Sequence, residues 1–531
     1  MRQPLTETAV TAGGASPAPT QLTTQPPVEA ASRRLPDGVL MVVLAFCAAL
    51  PYANTLFNGF VYDDDTQVLH NPYIRNFSHL KAIFTQTAWA YTGAQGITNY
   101  YRPLMGFGYV LCHEIFGFRP WGYHLVSVAF HVAVVLMLFV VTRRLFHNRL
   151  LAFLAAGLFA LHPIHSEAVA WVAAITDLEL TFFLLLSFWC FLRLGERELR
   201  RAGLLQLGMT ASFGAALLAK EPAAAWPLLA AFYEHACRED RGQTAWTLKV
   251  RRYAPLWLLL IAYILFRVRI LGAFIPVPER TRMPYNEAFF AAIALAGHYV
   301  EKLLWPLHLC AFYVFPKDLA PLLPWFAVGV LVLLACGALA VYFWRRERRI
   351  CFAFLWCFIT LAPVLNVRWM ADNAFAERYL YLPSVGFCWV VAWLAAQAWE
   401  ATSLRQERWR RALIATACLL AALMAVRIVI RNPDWKNDLT LEKATLAASP
   451  DAADIRGNLG VYYFQHGKLS LARQTLLEAL KLKPDDSPIL DDLGLLDLRQ
   501  RRYPEAVVYY ERSLAIVPKD AIGRAGLGEA Y

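Results

Sequence analysis

Charge is what this chain has least of. Of 531 residues only 17% are Asp, Glu, Lys or Arg, against 58% hydrophobic, and the mean hydropathy is +0.40. So little charge excludes a soluble globular protein and leaves a polytopic membrane protein. Cysteine pairing signals are also missing. The ten cysteines lie mostly inside apolar runs, with no CxxC pair and none after Cys418, so neither a zinc ribbon nor a disulfide framework is readable and they act as small apolar residues. Charges are scarce at the middle of the apolar runs, where a transporter would carry them or a broken helix. The net charge of +11 does not indicate nucleic acid, because the Arg and Lys form short clusters between apolar runs, as in cytoplasmic loops. The first apolar run, Val39 to about Phe57, follows Arg33 and Arg34 and lacks a small-residue cleavage site, which makes it an uncleaved signal anchor with its N-terminus inside. Ahead of it, residues 1–35 are rich in Pro, Thr, Ala and Ser without a hydrophobic period, the composition of a disordered cytoplasmic tail.

What is present is a series of apolar runs. After the anchor they lie near 122–142, 150–165, 168–192, 203–219, 222–236, 254–271, 322–344, 350–366, 380–399 and 411–430, about eleven spans in all within residues 36–432. The basic clusters at 143–149, 193–201, 238–252, 345–349 and 404–411 then fall on one side, the inner one. Ala288–Leu307 is apolar, but counting it would move the last two clusters outside, so it is expected to be an amphipathic helix on the outer surface. The outer side receives the loop 58–121, "HPIHSE", "KEP", the segment 273–320, "NVRWMADNAFAERY" and everything after about Ile430.

Residues 433–531 are a different kind of chain, with frequent charge and an internal period. Pro450, Pro484 and Pro518 are 34 residues apart, as are Gly460, Gly494 and Gly528. Leu459, Gly460, Tyr463, Ala472, Leu476, Ala479 and Pro484 fit the tetratricopeptide pattern; the second unit departs from it at Asp497 and Ser513, which replace an aromatic and a small residue. The expected units are about 453–486, 487–520 and a truncated 521–531, part of a longer α-solenoid whose concave face suits extended peptides.

Charged groups beside apolar spans are functional candidates, since each costs roughly 2.5–3.5 kcal/mol at a span centre. Asp63, Asp64 and Asp65 follow the first span, and mutual repulsion tends to raise at least one of them toward a useful base. The plainer reading makes them caps of a helix starting near Thr66. His162, His165 and Glu167 in "HPIHSE" could ligate a metal, hydrogen-bond a phosphate or substrate, or brace a turn at Pro163; a fourth ligand is not defined. Lys220 in "AKEP" offers a point charge for a lipid phosphate or an internal pair with Glu221. Glu377 and Arg378 in "FAERYLYLP" and Arg102 in "YYRP" complete the set, Arg being suited to two-pronged phosphate contact.

"FVYDDDTQVLHNPYI", "YYRPLMGFGYVL", "FHVAVVL", "FALHPIHSEAVAWVAAITDLEL", "AKEPAAAWPLL" and "AERYLYLPSVGF", followed by the 34-residue repeats, resemble the transmembrane and tetratricopeptide-repeat containing O-mannosyltransferases and their bacterial relatives from about residue 58 onward. The resemblance implies an all-α chain: a membrane domain of the glycosyltransferase C fold, then the repeats. It implies a donor sugar on a polyprenyl phosphate, and it matches Asp63 and Asp64 to the acidic pair of the first outer loop, with Asp65 as an extra neighbour. "WVAAITD" departs from the family, keeping Asp177 where relatives often show Gly-Arg before the Asp.

Together these readings predict an inverting glycosyltransferase. Asp63 or Asp64 deprotonates a Ser or Thr hydroxyl of an extracytoplasmic polypeptide held by the repeats, while Lys220, Arg378 and Arg102 hold the phosphate of a lipid-linked, mannose-like sugar. No certain cofactor is implied; the metal is undefined, with room for a divalent cation. The rivals are a lipid or polysaccharide sugar transferase of the same fold and a membrane-anchored repeat scaffold without activity. The Ala-rich spans suggest a bacterial inner membrane with periplasmic repeats; in an endoplasmic reticulum with luminal repeats, "NFS" at 76–78 would be a glycosylation site.

Overall fold

The computed structural model describes residues 35–92, 100–195, 202–274, 284–314, 319–366, 374–402 and 406–531. The tail expected at the N-terminus, most of the basic run 193–201, the start of the cluster 404–411 and parts of 273–320 and of "NVRWMADNAFAERY" lie outside them. Among the described residues every regular element is a helix or helical turn.

Eight helices among the described residues are long and apolar enough to cross a membrane: Asp37–Phe57, Pro120–Phe146, Val172–Arg193, Ala202–Ala219, Trp246–Leu271, Ala320–Arg346, Arg348–Leu365 and Glu407–Trp435. A ninth span is possible by length and composition as a bent pair, Arg149–Leu161 with Pro163–Ala170, which turns by 50° at the "HPIH" sequence. The remaining two expected runs are helical as well. Residues 221–237 form three consecutive short helical segments and Ser384–Ala401 one helix, but neither stretch is long and apolar enough to count as a span alone.

Indole N–H groups inside such a bundle need partners, because hydrocarbon supplies none. Trp226 donates to Ser187 (2.9 Å), Trp389 to Thr142 (2.7 Å) and Trp356 to the Leu382 carbonyl (3.0 Å), so three fully buried tryptophans are tied to three neighbouring elements. The helix Tyr285–Leu304 buries Ala291, Ala294 and Tyr299 and lies along Leu319–Arg346. A Cβ at Gly329 would come within 1.9 Å of the Ile293 carbonyl oxygen, so these backbones approach closely only because position 329 has no side chain.

The basic connections meet at one end of the bundle. Asp37, at the start of the first span, pairs with Arg149 (2.6 Å), Glu239 reaches both His147 (3.7 Å) and Arg349 (2.6 Å), and Asn148 donates to Glu400 (3.3 Å). At this end Glu234 is buried between Arg238 and Arg252, at 2.6 and 2.5 Å. The loop of the three aspartates, "HPIHSE" and "AERY" meet the start of the C-terminal region instead, and "KEP" joins them through Tyr379, as described below.

The C-terminal region is made of consecutive helices: Asp438–Ala448, Ala453–Gln465, Leu469–Leu482, Ser487–Arg499, Tyr503–Ile516 and Ala521–Ala530. The 34-residue period appears as two packed helix pairs, 453–482 and 487–516. Gly460 makes room for Leu476, which a Cβ there would approach to 2.6 Å. The two departures from the repeat pattern are both satisfied internally: fully buried Asp497 pairs with Arg473, and Ser513 hydrogen-bonds Ser487 at 2.7 Å. Arg473→Ala would leave the Asp497 carboxylate with Arg502 alone among the described residues, at 4.0 Å. Breaking a fully buried pair costs about 3–5 kcal/mol; the loss here should be smaller because Arg473 is 26% exposed. Hydrogen exchange of the helices 453–516 should report it, and Arg473→Leu combined with Asp497→Phe, which restores the aromatic, should recover most of it.

Candidate active site

The chain leaves the first span at Phe57 and turns sharply. Asn58 donates its side chain to the Asn432 carbonyl (3.1 Å) and Gly59 its N–H to the Lys436 carbonyl (2.9 Å). Tyr62 then adopts a left-handed backbone, φ 54°, which is costly for a residue with a bulky side chain. Its N–H is taken by Asp438 Oδ1 at 2.8 Å. This turn separates the fates of the three carboxylates that follow.

Asp64 is fully buried. Its Oδ2 accepts the Val61 N–H (3.1 Å) and its Oδ1 the Ala173 N–H (2.8 Å), so it pins the loop to the turn before the helix Ile175–Arg193. Asp65 faces the surface with His70 at 3.1 Å. Asp63 is half-buried, and its carboxylate has no hydrogen-bond partner among the described residues. Burial pushes Asp63 above the ordinary aspartate value while the positive charge of Arg378 pulls it back. Burial likewise raises Asp64 strongly, against its two backbone bonds. The expected cause, repulsion among three adjacent carboxylates, is therefore secondary to desolvation, because the turn spreads them in different directions. Nor does Asp64 cap the turn at 65–69; its carboxylate points back to Val61 and across to Ala173.

Arg378 is held by Glu167, which is fully buried and accepts both the guanidinium and the Arg378 N–H (3.0 Å for the latter). The guanidinium also lies over the rings of Trp171 (5.0 Å) and Tyr379 (4.9 Å). On the same Tyr379 ring rests Lys220, 5.1 Å from its centre, so one aromatic side chain supports both cations. Lys220 donates to both oxygens of Asp177, at 2.7 and 2.6 Å. The internal pair with Glu221, one of the two alternatives for Lys220, does not form. Lys220 closes the helix that ends at Ala219 in extended backbone, and Glu221, one residue on, is aimed elsewhere. Glu221 pairs with Arg102 (2.6 Å) and Arg267 (3.2 Å). Burial works against its charge, yet Arg102 and Arg267 outweigh burial and hold it below the ordinary glutamate value. Lys220 is the reverse case: burial lowers it, and Asp177 offsets that only in part.

Asp177, Lys220, Pro222, Thr360, Tyr379 and Pro383 line a small pocket of about 10 Å³, the space of one water molecule. Glu377, beside Arg378 in sequence, is buried and turned toward Arg431 (3.3 Å) and the Tyr313 hydroxyl (2.6 Å). The ring nitrogens of the two histidines are engaged by protein groups. His162 contacts the Leu303 carbonyl (3.0 Å) and accepts the Ile164 N–H (3.3 Å). His165 contacts the Phe159 carbonyl and the Ser384 hydroxyl, both at 2.9 Å. Among the described residues no three His, Cys, Asp or Glu side chains are placed to hold a metal ion.

The structure thus brings Asp63, Asp64, Arg378, Glu167, Lys220, Glu221 and Arg102 to one end, in pairs the sequence reading did not anticipate and with further partners it did not single out. Arg267 and Arg431 carry the signal already used for the others, a charge near the end of an apolar run. Trp171, Trp435 and Asp438 carry no such signal.

Residues 102–271 match the family described as dolichyl-phosphate-mannose-protein mannosyltransferase. Arg102, Glu167, Asp177, Lys220 and Glu221 lie inside the match; Asp63, Asp64 and Arg378 lie outside it. The chain is 25% identical over 460 residues to the protein O-mannosyl-transferase F38B6.6 of Caenorhabditis elegans, an alignment covering 84% of this chain and 63% of that one. It is 25% identical over 525 residues to the mouse protein O-mannosyl-transferase TMTC3, covering 92% and 55%. The resemblance seen in the motifs therefore extends over most of the chain, which spans less than two thirds of the length of either relative. The crystal structure of ArnT from Cupriavidus metallidurans bound to undecaprenyl phosphate is 16% identical and covers 91% of this chain and 79% of its own. Its TM-score is 0.36, too low for any residue of one to be placed by the other.

Proposed function

We propose that this chain is a membrane glycosyltransferase of the glycosyltransferase C type that moves a mannose-like sugar from a polyprenyl phosphate to Ser or Thr hydroxyls of a polypeptide. One observation carries the reading: Asp63, a carboxylate without a hydrogen-bond partner among the described residues, stands at the bundle end where Arg378 and Lys220 share one aromatic platform. The names of the similar proteins support the sugar and the acceptor class. In the proposed step Asp63 takes the proton of the acceptor hydroxyl, whose oxygen bonds to the anomeric carbon as the carbon–oxygen bond to phosphate breaks. The phosphate leaves with the electron pair and the sugar is transferred with inversion. Lys220 and Arg378 meet the charge that grows on the departing phosphate, with Arg102 beside them. The basic clusters at the opposite end support an outer-face location for this site. The C-terminal helices, as tetratricopeptide repeats, hold the acceptor polypeptide near it, so that tethering raises its local concentration.

The test is transfer by the purified chain from mannosyl-phosphoryl-polyprenol to a Ser/Thr-containing polypeptide, read by mass spectrometry of the product, with and without a chelator to show whether a divalent cation takes part. Sugar appearing on a lipid or polysaccharide but not on polypeptide would favour the first rival. Polypeptide binding without any transfer would favour a scaffold.

A further inference from the structure

We infer that Asp438, in the first turn of the helix after the last span, is a positioning residue that sets the catalytic loop, so that the C-terminal helices are tied mechanically to the base. The inference rests on Asp63 being that base.

The end of the last span and the linker that follows it are bonded along the segment that delivers Asp63. Asn432 donates to the Pro51 carbonyl (2.8 Å), Asn58 donates to the Asn432 carbonyl (3.1 Å), Gly59 donates to the Lys436 carbonyl (2.9 Å), and Tyr62 donates to Asp438 (2.8 Å). The last bond falls at the residue before Asp63, on a backbone whose left-handed conformation is costly and persists only where its surroundings impose it. A side-chain acceptor for that N–H is such a constraint. The other wall of the site is reached through the same linker. Trp435 is buried and stacked on Trp171, with ring centres 5.7 Å apart and planes at 19°. Trp171 in turn supports the Arg378 guanidinium and meets the Tyr62 ring at 6.0 Å. Val61, Ala170, Trp171, Ala174, Trp435 and Leu441 form a separate apolar cluster beneath the loop. A shift of the C-terminal helices on their linker therefore moves the residue next to the base.

Asp438→Ala removes the acceptor for the Tyr62 N–H; Asp438→Asn keeps an acceptor oxygen and removes only the charge. Two readouts on the full chain in detergent decide the matter. In hydrogen exchange, the segment 58–66 should exchange at least about tenfold faster in Asp438→Ala, near the wild-type rate in Asp438→Asn, and the helices 453–516 should be unchanged in both. In transfer to a short Ser/Thr peptide, Asp438→Ala should lose about 10- to 100-fold in kcat with the donor KM little changed, as misplacement of a reacting group does. Asp438→Asn should restore most of it. Unchanged exchange at 58–66 in Asp438→Ala would overturn the inference, as would an Asp438→Asn variant no better than Asp438→Ala. A wild-type chain inactive with this donor would count against the proposed function alone, and the exchange experiment would still decide the role of Asp438.

Discussion

Asp63→Asn should lose about 10²- to 10⁴-fold in kcat, the range that a positioned general base supplies, while donor affinity and thermal stability stay near wild type. The stability should hold because the Asp63 carboxylate makes no hydrogen bond among the described residues. Asp64→Asn should behave differently. Both Asp64 oxygens accept backbone N–H groups, and an amide would turn a donor toward one of them, leaving buried donors facing each other. That variant should therefore lower stability and speed exchange at 58–66 as well as lower kcat. Asp65→Asn should matter least, since its partner is His70 at the surface. The pH profile gives an independent check. A base works only when deprotonated, and burial raises Asp63, so kcat should fall with falling pH through a value above that of an ordinary aspartate. Arg378 opposes that rise, so Arg378→Gln should move the acid limb further up. Full transfer by Asp63→Asn would remove it from the mechanism.

The second large effect concerns Arg378. Loss of a charge aimed at a developing anion typically costs about 10²- to 10³-fold in kcat, and Arg378→Gln should show a loss of that order with weakened donor binding. Arg378→Lys should rescue poorly. One guanidinium serves Glu167 and lies within 3.4 Å of the Tyr379 hydroxyl while stacked on Trp171, and an ammonium cannot do these together. Arg378→Ala is the less informative change, because it abandons the fully buried Glu167, and breaking such a pair costs about 3–5 kcal/mol. The double variant Glu167→Gln with Arg378→Gln keeps a hydrogen-bonded pair and the net charge. It should fold and still fail to bind donor, measured by retention of a labelled polyprenyl phosphate. Wild-type donor binding in that variant would take Arg378 out of the phosphate site.

Much of the architecture is decided locally. An apolar run long enough to span hydrocarbon must form a helix there, whatever its neighbours do, because only a helix satisfies its own backbone. That is why Val39–Phe57 and its successors could be read directly, and why Glu377, Arg378 and Lys220 were recognisable as charges at the ends of such runs. The 34-residue period is equally local, since small residues at fixed offsets determine where one helix may lie against the next. Partnership is not local. Lys220 meets Asp177, 43 positions away, rather than its neighbour Glu221; Arg378 meets Glu167 across 211 positions. Tyr62 meets Asp438 across 376. Which carboxylate faces which cation depends on the rotation of each helix about its axis and on how closely backbones approach, as at Gly329, and those are set by packing between elements. The sequence by itself therefore determined a helical membrane chain with an acidic loop, cations at span ends and a repeated C-terminal region. Only the tertiary structure decided that Asp64 holds the loop while Asp63 makes no hydrogen bond among the described residues, and that the linker to the C-terminal helices grips the residue beside it, because burial and hydrogen bonding assign roles to otherwise identical side chains.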